Sequence, residues 1–324
     1  MLDHIERETM DIFLTSIQSI VPIIVIIILG YFLQVRGWFQ ESFGNDLSKL
    51  IMNVAMPVAI FTSVLKYLTL DKLISLSGGL LYTFIAFILG YLMAFIAVKL
   101  FRVCPGRRGT MINTFVNANT IFIGLPLNIA LFGNQALPYF LVYYITNTLS
   151  TWTLGVYLMT SDSKEGASKQ AQKFNWKKLL PAPLLGFLVA LVFLVLRLPV
   201  PSFAESTLTY IGSLTTPLSL VYIGIVLAKA GLNTIAFDKD TIVTLVGRFI
   251  LAPLIMLLVL KFFAPNMAPA EFKTFMIQSA TPALAVLPIL ANQGKGDVEF
   301  STNVVTLSTV LFIIVIPILQ TLLG

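Results

Sequence analysis

Helix-length apolar runs follow one another along nearly the whole chain. A helix needs about 20 apolar residues to cross a bilayer, whereas a barrel strand needs about 10 that alternate with polar ones. The runs here are continuous, so they predict an all-α polytopic membrane protein of ten transmembrane helices. In chain order these segments 1 to 10 are 16–35, 46–66, 76–100, 110–132, 138–160, 179–197, 207–229, 241–263, 273–293 and 300–323.

The composition excludes several classes of protein. Of 324 residues 57% are apolar and 11% charged, against about 25% charged in a soluble domain. The single cysteine, Cys104, excludes an intramolecular disulfide, and the only histidine, His4, lies in the polar N-terminal tail, which lacks the basic start of a signal peptide. No P-loop and no Ser-His-Asp set is present, so we expect neither an enzyme nor an ATP-driven pump, and no cofactor or metal site.

Lys and Arg residues predict the orientation. Fourteen fall on the side of the polar linker 161–178, and six fall on the side of the N-terminal tail. Positively charged loops stay in the cytoplasm, so the linker is predicted to be cytoplasmic and both termini to lie outside the cytoplasmic membrane. The net charge of +6 thus reports topology rather than a nucleic-acid partner. The linker separates two halves, 1–160 and 179–324.

The two halves share landmarks. Pro57 in segment 2 and Pro217 in segment 7 are 160 residues apart, and Pro126 in segment 4 and Pro288 in segment 9 are 162 apart. Because each half has five segments, the second half enters the membrane from the opposite side. The sequence therefore predicts inverted repeats, which in transporters place interrupted helices around a site near the midplane.

Segment 4 carries amides and a helix breaker where lipid offers no hydrogen bonds. Pro126 has no N–H, and Gly124 adds backbone freedom, so we expect segment 4 to break there and to resume with Pro126 near the start of a second half-helix. Pro288, aided by Pro282, is expected to do the same in segment 9. Two half-helix N-termini, each carrying about half a positive charge, would then favour an anion. A proline kink with amides as interhelical contacts is the alternative.

Three stretches resemble the auxin efflux carrier family, which includes plant PIN-formed exporters and bacterial malate- and malonate-type permeases. They are "NTIFIGLP" at 119–126, Asn53 to Pro57, and "PILANQGKGD" at 288–297. The resemblance implies that segments 4 and 9 cross, that segments 1, 2, 6 and 7 form a scaffold, and that segments 3–5 and 8–10 form a transport domain. It also implies a homodimer, elevator-like alternating access, and contact between Asn119 and a carboxylate substrate.

Arg248 is the one charge clearly inside a predicted segment. It could neutralise a second substrate carboxylate or balance the charge of the transport domain during movement, or else snorkel to the interface or cap carbonyls at the break in segment 4. Asn147 and Ser308 occupy equivalent places in the two halves, and we expect them to be packing residues rather than to face the crossing. The candidate substrate-binding residues are Asn119, Asn117, Thr120, Gly124, Pro126, Thr281, Pro282, Pro288, Asn53 and Arg248.

The sequence thus predicts a secondary transporter of a small organic anion, a mono- or dicarboxylate of the malate or malonate kind. One alternative is a carrier of another anionic or amphipathic metabolite, auxin-like or an amino acid. A second is a sodium-coupled symporter whose ligands are backbone carbonyls, Gln278, Thr281 and Asn residues. A third is a membrane receptor that does not transport.

Overall fold

The chain is all-helical where its structure is described. The computed structural model describes residues 21–163, 182–231 and 235–323, except for the side chains of 70–75 and 230. Every regular element in these ranges is a helix or a helical turn, and they contain no strand. The predicted N-terminal tail, most of the linker 161–178 and the first residues of segments 1 and 6 lie outside the described residues.

Six helices in these ranges are long and apolar enough to cross a membrane, judged by length and composition. They are Phe43–Tyr67, Leu76–Leu100, Arg108–Phe132, Ser202–Lys229, Lys239–Phe263 and Val298–Leu323. Two shorter apolar helices are Val21–Val35 and Ala182–Leu196. This is the architecture of a polytopic membrane protein.

Most of these helices are subdivided. The α-helical pieces from segment 2 onwards are Phe43–Leu50, Met56–Tyr67, Leu70–Leu100, Arg108–Val116, Leu125–Phe132, Leu137–Ser150, Val156–Ser161, Ala182–Leu196, Ser202–Ser213, Thr215–Ala230, Lys239–Val246, Ala252–Phe263, Pro269–Ser279, Leu287–Gln293 and Val298–Leu323. Wider, π-helical turns occupy Ile51–Ala55, Thr120–Gly124, Thr151–Gly155 and Gly247–Leu251, and Asn134–Ala136 is a 3₁₀ turn.

Three of the π-helical turns end two residues before a proline. Pro57, Pro126 and Pro253 each occupy the second position of the α-helix that follows the turn. Proline offers no N–H, and its ring clashes with the carbonyl one turn earlier. A π-helical turn contains an extra residue and shifts the carbonyls out of this register, so the helix continues past the proline. These prolines therefore widen their helices without breaking them.

Glycines let segments 1 and 7 approach each other very closely. A Cβ built on Gly224 would overlap the carbonyl of Ile27, and one built on Gly30 would overlap the carbonyl of Val221. Small residues are the usual means by which helices in lipid bring their backbones together, because van der Waals packing replaces the hydrophobic drive that lipid removes. The pair fixes the spacing of these two segments.

Arg107 joins the connections at one end of the molecule. Its guanidinium donates to Asp238 at 2.6 Å and to Asp297 at 2.9 Å, and a third carboxylate, Asp240, lies 3.5 Å away. Burial alone would raise the pKa of Asp238, but hydrogen bonds from Thr241 and Arg107 outweigh it and hold that pKa below its usual range. The connections after segments 3, 7 and 9 are thus tied together by charge.

Replacing Gly224 by Ala should destabilise the protein. The added methyl group would have to push the backbones of segments 1 and 7 apart, and such overpacking costs about 1–3 kcal/mol. The matched control is Gly78→Ala in segment 3, where a Cβ would meet only the Tyr82 side chain at 3.5 Å. That change should be neutral or stabilise the helix by about 0.5–1 kcal/mol. Equal melting temperatures of the two purified variants would contradict the close packing.

Candidate functional site

Segment 4 is interrupted, but earlier than its proline suggests. The helix Arg108–Val116 ends at Asn117, whose backbone is extended (φ −97°, ψ 139°), and helical structure resumes at Thr120. Asn119 caps the new half-helix, since its Oδ1 accepts from the N–H of Phe122 at 3.2 Å. The expectation that the break lies at Gly124 and Pro126 is wrong, because the π-helical turn accommodates the proline.

Segment 9 is interrupted over a longer stretch. The helix Pro269–Ser279 ends before a non-helical stretch, and the second helix, Leu287–Gln293, carries Pro288 in its first turn as predicted. Pro282 lies within the gap. This second helix has only seven residues, so the longer half-helix that starts after Asn119 is the stronger electropositive end.

The two interruptions are in direct contact. The N–H of Asn119 donates to the carbonyl of Pro282 at 2.8 Å. Gln278 Nε2 donates to the carbonyl of Gly124 at 2.9 Å, and its carboxamide occupies the space that a Cβ on Gly124 would need. Gly124 thus allows segment 9 to pack closely against segment 4, because it has no side chain.

Neighbouring helices supply the hydrogen bonds that the extended residues lack. Asn147 Oδ1 accepts from the N–H of Ala118 at 2.8 Å, and its Nδ2 donates to the carbonyl of the same residue at 3.0 Å. Ser308 Oγ accepts from the N–H of Ala283 at 3.1 Å in the other half. The expectation that Asn147 and Ser308 only pack between helices is therefore wrong. Their equivalent places in the two halves were the sequence signal for a shared role at the two interruptions.

Arg248 binds the carboxyl ends of both first half-helices. It is fully buried, and Nη1 donates to the carbonyls of Thr114 at 3.3 Å and Phe115 at 3.4 Å, while Nη2 donates to the carbonyl of Ser279. The Tyr143 hydroxyl is a further partner. Of the roles considered for Arg248, capping of carbonyls at the break is the one the geometry supports, and it extends to segment 9 as well.

A cavity of about 300 Å³ lies at the other face of the crossing, beside the start of the half-helix that Asn119 caps. No Asp, Glu, Lys or Arg of the described chain lines it. Its polar lining includes Asn45, Ser48, Asn119, Thr120, Asn147 and Thr151. Its aromatic lining consists of Phe122, Tyr144, Trp152 and Tyr222. The hydroxyl of Thr151 is buried and has no hydrogen-bond partner within the described residues.

Two of the predicted site residues line this cavity, Asn119 and Thr120. Asn53 does not: its side chain is exposed and donates to the carbonyl of Lys49 at 3.0 Å. Asn45, which sequence reasoning missed and which lies one residue before the predicted start of segment 2, is the amide of the helix Phe43–Tyr67 that reaches the cavity. Two amides eight residues apart on one helix do not reveal from the sequence which of them faces inward.

The remaining predicted residues build the crossing behind the cavity. Asn117 is fully buried, with Nδ2 donating to Asn113 Oδ1 at 2.9 Å. Thr281 is buried as well and donates to the carbonyl of Gln278 at 2.9 Å. Gly124, Pro126, Pro282, Pro288 and Arg248 shape or hold the half-helices and do not line the cavity.

Comparison with known proteins identifies the chain. The family described as membrane transport protein matches residues 15–320. The chain belongs to this family. Its resemblance to the auxin efflux carriers is thereby confirmed, and the protein is a multi-pass membrane transporter rather than an enzyme.

Curated relatives of this transporter cover nearly its whole length. An uncharacterized transporter of Methanothermobacter thermautotrophicus is 26% identical over 312 residues, which is 94% of this chain and 98% of the relative. Uncharacterized transporter MJ1031 of Methanocaldococcus jannaschii is 23% identical and covers 91% of this chain and 94% of its own. Uncharacterized transporter YfdV of Escherichia coli K12 is 22% identical over 93% of this chain and 95% of its own.

Arg248→Gln should strongly destabilise the transporter. Three buried carbonyls would lose a charged donor, and each unsatisfied group costs about 1–3 kcal/mol. Arg248→Lys should be intermediate, because an ammonium cannot span carbonyls of two helices. Thermal unfolding of the purified variants measures the effect, with Arg36→Gln at an exposed arginine as the matched control. If Arg248→Gln melted with that control, the capping role would be excluded.

Proposed function

We propose that the protein is a secondary transporter of a small organic anion, which binds in the cavity beside Asn119. The supporting observation is electrostatic: the cavity has no charged side chain among the described residues, yet it lies at the electropositive end of the half-helix that Asn119 caps. An anion needs such fixed dipoles when no cation is present. The proposed carboxylate ligands are Asn119 Nδ2 and the N–H groups of Ile121 and Ile123, since the N–H groups of Thr120 and Phe122 already donate to Ala118 and Asn119.

Arg248 neutralises the negative helix ends at the crossing. Each helix end carries about half an elementary charge, positive at the N-terminus and negative at the C-terminus. The guanidinium at the C-terminal ends of two half-helices therefore offsets about one negative charge. The positive N-terminal dipole beside the cavity is left without a nearby opposing charge, and an anionic substrate would complete the balance.

The cavity favours a monocarboxylate with an apolar body. Four aromatic residues form part of its wall, and its volume of about 300 Å³ admits a small molecule only. A second carboxylate, as in malate or malonate, would find no cation there, because Arg248 is buried against carbonyls. An auxin-like aromatic acid or an apolar amino acid fits the same wall, so these stay as alternatives within the proposal.

Sodium coupling at the crossing receives less support. The carbonyls of Thr114, Phe115 and Ser279 are the oxygens that a sodium ion would use, and Arg248 already occupies them. The positively charged guanidinium of Arg248 thus binds the carbonyls that a sodium ion would otherwise bind. Gln278 Oε1 is left without a partner among the described residues, but one neutral oxygen does not make a sodium site.

The placement of the cavity is compatible with an elevator mechanism. Asn45 lies on the helix Phe43–Tyr67, one residue before the predicted bounds of scaffold segment 2, and Tyr222 belongs to scaffold segment 7. Asn119 and Asn147 belong to the proposed transport segments 4 and 5. A substrate bound there would touch both groups, and a sliding movement between them would carry it across. Inverted five-helix repeats, a cytoplasmic linker, outside termini and a scaffold-mediated homodimer complete the proposal.

Asn119→Asp separates anion binding from helix capping. Aspartate keeps an acceptor for the N–H of Phe122, so the fold should be retained, but its charge should repel an anion and reduce flux at least tenfold. Flux is measured in proteoliposomes with radiolabelled malonate, malate and indole-3-acetate. Asn53→Asp, at an exposed amide outside the cavity, is the matched control. Normal flux through folded Asn119→Asp would overturn the site, and flux of none of the three acids through the wild type would favour the receptor alternative.

A ligand screen tests substrate class and coupling ion together. A ligand that binds the folded state increases the free energy of unfolding by mass action, by about 2.7 kcal/mol at a concentration of a hundred times Kd. The melting temperature rises as a result. Monocarboxylates with an apolar body should give the larger shifts, and replacing sodium by choline should leave them unchanged. Shifts that require sodium would establish the symporter alternative, and larger shifts with dicarboxylates would overturn the monocarboxylate preference.

A further inference from the structure

A second cavity lies at the ends of segments 3, 4 and 5, away from the crossing. It has a volume of about 540 Å³ and combines three cations with an apolar wall. The cations are Lys99, Arg102 and Arg108, and the apolar wall includes Phe95, Ile112 and Leu158. Nothing in the proposed transport cycle uses it.

The three cations have no ionic partner within the described chain. The single carboxylate of the lining, Asp162, is already engaged, because one oxygen accepts from the N–H of Gly106 at 2.9 Å and the other from Gly109 at 2.8 Å. Arg108 uses only Nε, which donates to the carbonyl of Val103 at 2.9 Å. The cavity therefore holds an excess of positive charge with free N–H donors.

The apolar wall of the cavity is continuous with the exposed apolar surface of segment 3. Segment 3 forms the apolar helix Leu76–Leu100, which is long and apolar enough to cross a membrane. Leu92, Phe95 and Ile96 are exposed on it, and Lys99 follows at its end. A small hydrated anion gains nothing from contact with apolar side chains, whereas the acyl chain of a lipid packs favourably against them. The three cations lie at the end of the apolar wall, where they can bind a headgroup phosphate.

We propose that this cavity binds the phosphate headgroup of an anionic phospholipid of the cytoplasmic leaflet. Lys99, Arg102 and Arg108 contact the phosphate, and the chains lie along Phe95 and Leu158. Basic pockets between membrane helices on the cytoplasmic side are the usual sites for such headgroups. The Lys and Arg distribution predicts that this end of segment 3 lies in the cytoplasmic leaflet, which is rich in anionic lipids.

A matched comparison is available at the opposite end of the molecule. Arg197 ends segment 6 with the same left-handed backbone as Arg102 (φ 50° and 49°), and with Lys66 it lines a cavity of about 480 Å³. That cavity also contains Glu205, which leaves it one net positive charge, against two in the Lys99 cavity when Asp162 is counted. Similar size and backbone geometry with less positive charge make it the control for a charge-dependent site.

The test measures lipid retention. Wild type and Lys99→Gln/Arg102→Gln/Arg108→Gln are reconstituted in nanodiscs of equal phosphatidylglycerol and phosphatidylcholine, extracted into detergent, and analysed for co-purified lipid by native mass spectrometry. Wild type should retain phosphatidylglycerol selectively, and the variant should lose roughly fivefold for each cation removed. Lys66→Gln/Arg197→Gln should retain the wild-type selectivity. Lys99→Gln/Arg102→Gln preserves the Arg108 hydrogen bond and carries the test if the triple variant does not fold.

Three outcomes would overturn the proposal. The first is unchanged selectivity in the folded variants, and the second is an equal loss in Lys66→Gln/Arg197→Gln. The third is release of the lipid by millimolar inorganic phosphate, which would assign the cavity to a soluble anion. Because lipid retention requires no transport, each outcome is independent of whether the substrate site has been placed correctly.

Discussion

Backbone groups inside a bilayer must find hydrogen-bond partners within the protein, and the crossing of segments 4 and 9 depends on this constraint. Each unsatisfied group costs several kcal/mol as an order of magnitude. The extended residues of segment 4 escape the penalty because the Asn147 carboxamide binds both polar groups of Ala118, as a neighbouring strand would. Arg248 does the same for three carbonyls at the helix ends. The break persists because these side chains reach it.

The same hydrogen bonds decide the electrostatics of the site. A guanidinium satisfies carbonyls and also brings a charge, so the negative ends of two half-helices are balanced from within. The face with the Asn119 cap receives no such balance, and it is the face on which the cavity lies. One buried cation thus links the stability of the crossing to the preference for an anion in the proposed function.

Positive charge has three different roles in this transporter. Arg248 is buried and bound to backbone carbonyls, and Arg107 is partly exposed and bound to carboxylates. Lys99, Arg102 and Arg108 have no carboxylate partner among the described residues and face a cavity with an apolar wall. Burial and partners, rather than residue type, separate a structural cation from one that is available to a ligand.

The sequence by itself determined the helical class, the membrane setting and the family, because apolar length and short motifs are local properties. It also predicted that segments 4 and 9 are interrupted, but it assigned the interruption of segment 4 to Gly124 and Pro126, which a π-helical turn accommodates. It did not locate the break at Asn117–Asn119, and it could not distinguish Asn45 from Asn53. Only the tertiary structure decided these points. The partners of Ala118 and of Phe115 are 29 and 133 residues away along the chain, and no local pattern encodes a hydrogen bond across that separation.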